Sequence, residues 1–339
     1  MNTLAHHWLG ASLVDAEHRI WLPFDVALHP ELIPGLQPLP HSPYVRHADK
    51  TPFELPPHLT SLHVINATGV ALGDAIMGLT ALIGLKRLYP ALKIVVYYGR
   101  YAPDAVKSLL RLVSHWFEVV ELPARLPALG PRHWVIDLAD VVARPSFGRL
   151  HMLDFFIQSL GVPAALIPRI NRQHHWLQDL SLPSVAPAEP YVFFSPRAST
   201  RLRTMPEHVQ YLVLDALWQQ YRLPVYGFEA LTHPAYHHLA PVPTRDYLAW
   251  VRSARFVFST DSATLHVAAG FDVPTVAVFV SIDPVLRVKD YPQCFAMDIR
   301  HPGLYGLHRT DEASLLEVAQ RQWETHWLSR VPWPALKGA

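Results

Sequence analysis

Apolar and polar positions along this chain fall into two textures. From residue 58 onward, short apolar runs with the β-branched and aromatic content of buried strands are separated by stretches of helical period. Leu62 to Asn66 predicts a strand, Asp74 to Leu88 a helix and Lys93 to Tyr98 the next strand. A helix follows over Pro103 to Val113, strands over Phe117 to Leu122 and His133 to Leu138, and a helix over Leu150 to Leu160. The proline-rich stretch Leu182 to Pro190 has no periodicity and reads as a linker. A second alternating series comes after it. Strands are expected over Tyr191 to Ser195, Leu223 to Tyr226, Phe256 to Ser259 and Thr275 to Phe279. Helices are expected over Pro206 to Gln220, Tyr247 to Ser253, Thr264 to Ala269 and Glu312 to Arg330. Strands alternating with helices are the pattern of parallel βαβ units, so the class is α/β with two Rossmann-like domains facing across a cleft. The other texture is residues 1–57, rich in proline and aromatics with no sustained period, which reads as an N-terminal extension lying over a domain. The domains are then 58–181 and 191–310, joined by 182–190, with 311–339 as a terminal segment.

Composition narrows the class of protein. The 339 residues are 50% apolar and 17% charged, enough for two buried cores and too apolar for a disordered chain. No apolar run reaches the roughly 20 residues of a spanning helix, and Met1 to Trp8 lacks a secretory pattern, so a cytoplasmic location is expected. One cysteine, Cys294, rules out an intramolecular disulfide and a thiolate cluster. With 29 basic against 28 acidic residues there is no net field to hold nucleic acid. The 32 prolines sit mostly at element joints. The 21 histidines include the pairs His6-His7, His174-His175 and His237-His238, none with the spacing of a zinc site, so no metal is expected.

Three loops, each after an apolar strand, hold the candidate chemistry. The first carries Thr68, Gly69 and Gly73, whose glycines permit a tight turn, and ends on Asp74. Asp74 reads either as a helix N-cap or as a general base aimed into the cleft. No G-x-G-x-x-G fingerprint is present, which argues against a nicotinamide dinucleotide. The second, Ser259 to His266, offers hydroxyls at a helix start, suited to a phosphate or a sugar hydroxyl or to capping alone. His266 reads as a hydrogen-bonded structural residue on local evidence. The third, Ser195 to Pro206, packs Arg197, Arg201 and Arg203 with Ser199, Thr200 and Thr204, a set that suits a diphosphate.

The Gly73-Asp74 loop with its helix ending Leu85-Lys86-Arg87-Leu88-Tyr89-Pro90 resembles the N-terminal signature of glycosyltransferase family 9, the ADP-heptose:lipopolysaccharide heptosyltransferases. His151-Met152-Leu153-Asp154 with Leu160-Gly161, Arg203-Thr204-Met205-Pro206, Asp261 to Ala269, and Pro274 to Phe279 resemble further elements of that family. The likeness covers roughly residues 60–300, the Asp261 block being its most specific part. It implies a GT-B fold, with the first domain binding acceptor, the second binding nucleotide sugar, and residues 311–339 forming a helix that crosses back to the first domain. It implies an inverting, metal-independent transfer of a sugar to a hydroxyl of a glycan, a lipopolysaccharide core or a protein, with heptose from ADP-heptose as the default. No cofactor is implied beyond that donor. Asp74 takes the role of base, Arg203 that of the family's charge-compensating lysine, and Ser199 or Thr200 donates to phosphate. Asp261, Ser262, Ala263, Thr264 and His266 line the donor site, and Glu229 stands where a nucleoside-contacting glutamate is expected.

The chain departs from the family in placing Arg203 for lysine and Ala263 for the motif glycine, and in its long extension. The extension would cover the acceptor side, mediate a homo-oligomer or dock a protein acceptor. Peripheral attachment at the inner membrane is compatible with a lipopolysaccharide acceptor. Two alternatives stand beside the transferase: a non-catalytic sugar-binding or scaffold protein, and a GT-B sugar-nucleotide epimerase.

Overall fold

The computed structural model describes residues 11–47, 53–141, 144–185, 187–324 and 326–336. Contacts divide the chain into two compact units, with the boundary after Arg172. The linker expected at 182–190 therefore lies inside the second unit. Residues 173–181 belong there because they are held to it: Leu177 is fully buried and packs on Gly270, and Gln178 Nε2 donates to the Gly270 carbonyl at 3.0 Å.

The first unit opens with short strands β1 (Leu13–Val14), β2 (Arg19–Trp21), β3 (Gln37–Pro38) and β4 (Val45–His47). Next come β5 (Ser61–Ile65), β6 (Lys93–Tyr98), β7 (Glu118–Glu121), β8 (Ala124–Arg125) and β9 (His133–Asp137). Among them β4, β9, β5, β6 and β7 form, in that order, a wholly parallel sheet. Every residue of β5 is buried, as expected of a strand covered on both faces. Helices Leu72–Leu88 and Asp104–Leu112 supply the crossovers from β5 to β6 and from β6 to β7, and Met152–Ser159, after the last strand, packs on the first of them.

The N-terminal segment is not an irregular extension lying over a finished domain. Strands β3, β1, β2 and β8 make a small antiparallel sheet, and β4 is the edge strand of the parallel sheet itself. Ile20, Leu22 and Leu39 share one apolar cluster with Ile65, Val95, Tyr97 and Val135, so the segment buries a face of the main sheet. The strands are too short, two or three residues each, to register as periodicity. Residues 1–10, with His6-His7, lie outside the described residues.

The second unit contains β10 (Val192–Ser195), β11 (Val225–Gly227), β12 (Tyr236–His238), β13 (Phe256–Thr260), β14 (Thr275–Phe279) and β15 (Cys294–Asp298), all parallel, in spatial order β12-β11-β10-β13-β14-β15. Helices Glu207–Tyr221, Thr244–Ser253, Ala263–Gly270 and Ala313–Trp323 accompany them. The last of these was expected to cross back to the first domain. Its buried residues Ala319 and Trp323, with Trp327 beyond it, instead share the second unit's own core with Phe256, Phe258 and Val276. No helix among the described residues is long and apolar enough to cross a membrane.

Candidate functional site

The order of the strands determines where each sheet opens. In the second unit the chain runs outward from β10 through β11 to β12, then restarts beside β10 with β13, β14 and β15. In the first unit it runs from β5 through β6 to β7 and restarts beside β5 with β9. Loops leaving the two strands at such a reversal diverge to opposite sides and leave a crevice at their carboxyl ends, the usual place for a ligand in an open α/β sheet. All three candidate loops leave strands that flank a reversal: 66–74 follows β5, 196–206 follows β10, and Asp261-Ser262 follows β13.

In the first unit, Asn66 adopts φ +57° immediately after β5, and its Nδ2 donates to the Leu138 carbonyl at 3.2 Å, joining the ends of β5 and β9. Gly69 has φ +59°, and a Cβ there would stand 2.6 Å from the Asp74 Cβ. Only glycine lets the loop fold this closely over Asp74. The helix begins at Leu72 with Ala71 as a cap that has no side-chain bond, so Gly73 and Asp74 are its second and third residues. Asp74 is thus not the N-cap. It sits half-buried in the first turn, where the helix dipole favours a carboxylate. Thr68, 1% exposed, is packed into the base of the loop. Gly78 is a second steric requirement: a Cβ there would stand 1.8 Å from the Ala67 carbonyl oxygen. Its placement mid-helix was the available sequence signal.

The second unit brings most of the expected donor residues into one hydrogen-bonded group. Ser262 caps helix Ala263–Gly270, accepting from the Thr264 N–H at 3.3 Å, and its Oγ lies 3.0 Å from Ser259 Oγ. Ala263 is the first residue of that helix. Thr264 Oγ1 lies 2.8 Å from both Ser195 Oγ and the Tyr247 hydroxyl, tying the helix to the end of β10. Arg203 donates through Nη1 to the Asp261 carbonyl and to its Oδ2, each at 2.9 Å, through Nη2 to Ser199 Oγ at 2.8 Å and through Nε to Thr200 Oγ1 at 3.3 Å. Asp261 is 2% exposed and has a second cation near it, Arg287 Nε at 3.9 Å. His308 lies beside them, its Nδ1 3.5 Å from Arg287 Nη2. Burial, reinforced by the Arg287 and Arg203 charges, pushes its pKa down to about 4.

Two expected residues stand apart from this group. Glu229, in the loop after β11, is paired with Arg197 at 3.0 Å. His266 is 3% exposed in the second turn of its helix, with Nδ1 2.7 Å from the Tyr291 hydroxyl. That hydroxyl also lies 2.5 Å from His174 Nε2, and burial raises its pKa well above the ordinary tyrosine value. His266 therefore braces the helix from within. Arg287, His308, Tyr247, Tyr291 and His174 had no signal in the sequence, since each reaches the group from a distant element.

The remaining histidine pairs have structural partners. His175 Nε2 lies 2.9 Å from Asp272 Oδ1, and His237 stacks on Tyr226 at 4.8 Å. Among the described residues no group of three or more His, Cys, Asp or Glu side chains is placed to hold a metal ion.

No family model matches the sequence, and no curated protein matches it. Solved structures do. The iron-containing dodecameric glycosyltransferase TibC of enterotoxigenic E. coli H10407 superimposes with a TM-score of 0.52 at 13% identity, over 78% of this chain and 73% of that one. TibC described as a dodecameric iron-containing heptosyltransferase in complex with ADP-D-beta-D-heptose gives 0.51 at 11% identity, over 81% and 77%. What the likeness establishes is the fold: the α/β GT-B class expected from the sequence is the one this chain shares with those glycosyltransferases.

Proposed function

We propose that this protein is a glycosyltransferase of the family 9 kind, moving a sugar from a nucleotide-sugar donor, by default heptose from ADP-heptose, to an acceptor hydroxyl. The observation that carries the reading is the group at the β10/β13 reversal. A capped helix N-terminus, the half-buried Arg203, the buried Arg287 and a row of hydroxyls meet where an open sheet binds its ligand. Such a group suits a diphosphate, because amide dipoles and guanidinium donors stabilise charge that grows as the glycosyl–phosphate bond breaks. The fold shared with TibC supports the same reading.

In the reaction the acceptor oxygen bonds to the anomeric carbon, the bond from that carbon to the phosphate oxygen breaks, and the nucleoside diphosphate leaves with the bonding pair. Asp74 takes the proton of the acceptor hydroxyl. Its place in a first helical turn under Gly69 fixes the carboxylate without burying it completely. Ser262 and Thr264 shape the helix N-terminus, Ser199 and Thr200 orient Arg203, and Glu229 lies on the nucleoside side. No step is assigned to a metal. The acceptor is a glycan, a lipid-linked core or a protein, and the enzyme works in the cytoplasm, at the membrane face if the acceptor is lipid-linked.

The test follows nucleoside diphosphate release from ADP-, GDP- and UDP-sugars with and without these acceptor classes. Acceptor-dependent release of ADP is the expected result. Binding of these donors with no release in the presence of any acceptor returns the scaffold reading, and interconversion of the donor sugar returns the epimerase.

A further inference from the structure

Two arginines of the loop after β10 stand in opposite situations. Arg203 has a side chain 15% exposed, and its guanidinium is already held by Thr200 Oγ1, Ser199 Oγ and two oxygens of Asp261. A guanidinium has five N–H donors in one plane, so little of this one remains to fork onto a phosphate. The bonds run from its own loop to the residue after β13, which makes Arg203 a clamp between the two strands that flank the reversal.

Arg197, six positions earlier, has a side chain 71% exposed and is ion-paired through Nη2 with Glu229 Oε2 at 3.0 Å. Ion pairs this exposed hold weakly, because water screens the attraction and ordering a long side chain costs entropy. Glu229 is the fixed partner: its side chain is 17% exposed, and its backbone N–H and carbonyl both bond to the Tyr236 hydroxyl, at 3.0 and 2.9 Å. Arg197 also lies two residues past Ser195, whose Oγ touches the helix-start residue Thr264. The movable cation is therefore rooted beside the helix N-terminus, while the half-buried one is fixed in place by its four bonds.

We propose that Arg197, resting on Glu229, is the residue that forks onto the diphosphate of the nucleotide, and that Arg203 is a positioning residue holding Asp261 and the loop. The assignment rests on the nucleotide-sugar reading and moves the phosphate-contacting role that the family resemblance gives to Arg203 onto Arg197. A diphosphate draws Arg197 away because it offers paired anionic oxygens where Glu229 offers one ion-paired oxygen to one guanidinium nitrogen.

Inorganic pyrophosphate, titrated calorimetrically into the full chain, isolates this contact from base and ribose. Arg197→Ala weakens it by about tenfold or more, Arg197→Lys by less, as expected when a bidentate guanidinium contact is lost or replaced by a point charge. Glu229→Gln tightens it, because the competing carboxylate is gone. The salt dependence of the affinity becomes shallower in Arg197→Ala and stays unchanged in Arg203→Lys, which keeps its charge. Unaltered affinity in Arg197→Ala, or weaker binding in Glu229→Gln, overturns the assignment and leaves the glycosyltransferase reading standing. A wild-type chain that binds neither pyrophosphate nor any nucleotide overturns both.

Discussion

At the scale of single residues, the account turns on groups whose position is enforced by a neighbour. Asp74 is one. Asp74→Asn keeps the shape of the first helical turn and removes the proton acceptor, so turnover should fall by about 100- to 10,000-fold while nucleotide affinity is retained. Turnover close to wild type in steady-state assays would remove Asp74 from its role. Gly69 is another: Gly69→Ala combines a left-handed backbone with a Cβ 2.6 Å from that of Asp74. It should cost about 1–3 kcal/mol in denaturant unfolding and lower turnover as well. Much of this was legible in the sequence, because glycine, aspartate and serine between a strand and a helix have few uses. The partners were not. Arg287 reaches Asp261 from the short helix Val285–Val288, with His308 beside it from a later loop, and Tyr291 meets His266 across 25 positions.

At the scale of elements, a strand was legible to the extent that it is buried. Lys93–Tyr98 falls as the periodicity predicts, with four of its six residues buried in a continuous run. The outer strands β12 and β15 went unseen because Tyr236–His238 has no apolar run and Cys294–Asp298, with its short apolar run Cys294 to Met297, is mostly exposed. The N-terminal segment was missed for a different reason. Its elements are held by long-range pairing and buried polar contacts. Ser12 donates through its N–H and Oγ to the two oxygens of Asp137, at 2.7 and 2.9 Å, and the Arg100 N–H donates to buried Asp25 at 3.0 Å. Both anchors lie at carboxyl ends of sheet strands, Asp137 closing β9 and Arg100 just past β6. Ser12→Ala should therefore destabilise the first unit by about 1–3 kcal/mol, since it withdraws a hydroxyl from a buried carboxylate. An unchanged unfolding midpoint would show that the segment is dispensable to the fold.

At the scale of the whole molecule, stability should respond to acid through buried His63 in the first unit and half-buried His308 in the second. His63, 6% exposed, lies between Ser61 Oγ at 2.9 Å and the Tyr97 hydroxyl at 3.0 Å, and burial with the Lys93 charge lowers its pKa to about 4. His308 is lowered to about 4 likewise. Both stay neutral in the folded chain while their unfolded counterparts take up a proton near pH 6.5, so the stability they contribute is complete above that pH. It is lost as pH falls toward 4, by at most about 1.4 kcal/mol per pH unit for each group. Denaturant curves at pH 7, 6 and 5 check this. His308→Gln should flatten the slope, and a wild-type stability independent of pH over that range would contradict the neutral assignment.

The central claim is that the crevice at the β10/β13 reversal binds a nucleoside diphosphate sugar, and thermal unfolding of the full chain in the presence of ADP, GDP, UDP and their sugars tests it most directly. A ligand that binds the folded state alone raises the melting temperature, by an amount that grows with the logarithm of its concentration over Kd. ADP and ADP-heptose should raise it, the sugar nucleotide at least as much as ADP. No shift with any nucleotide would contradict the site, and a shift with GDP or UDP but not ADP would contradict the heptose donor.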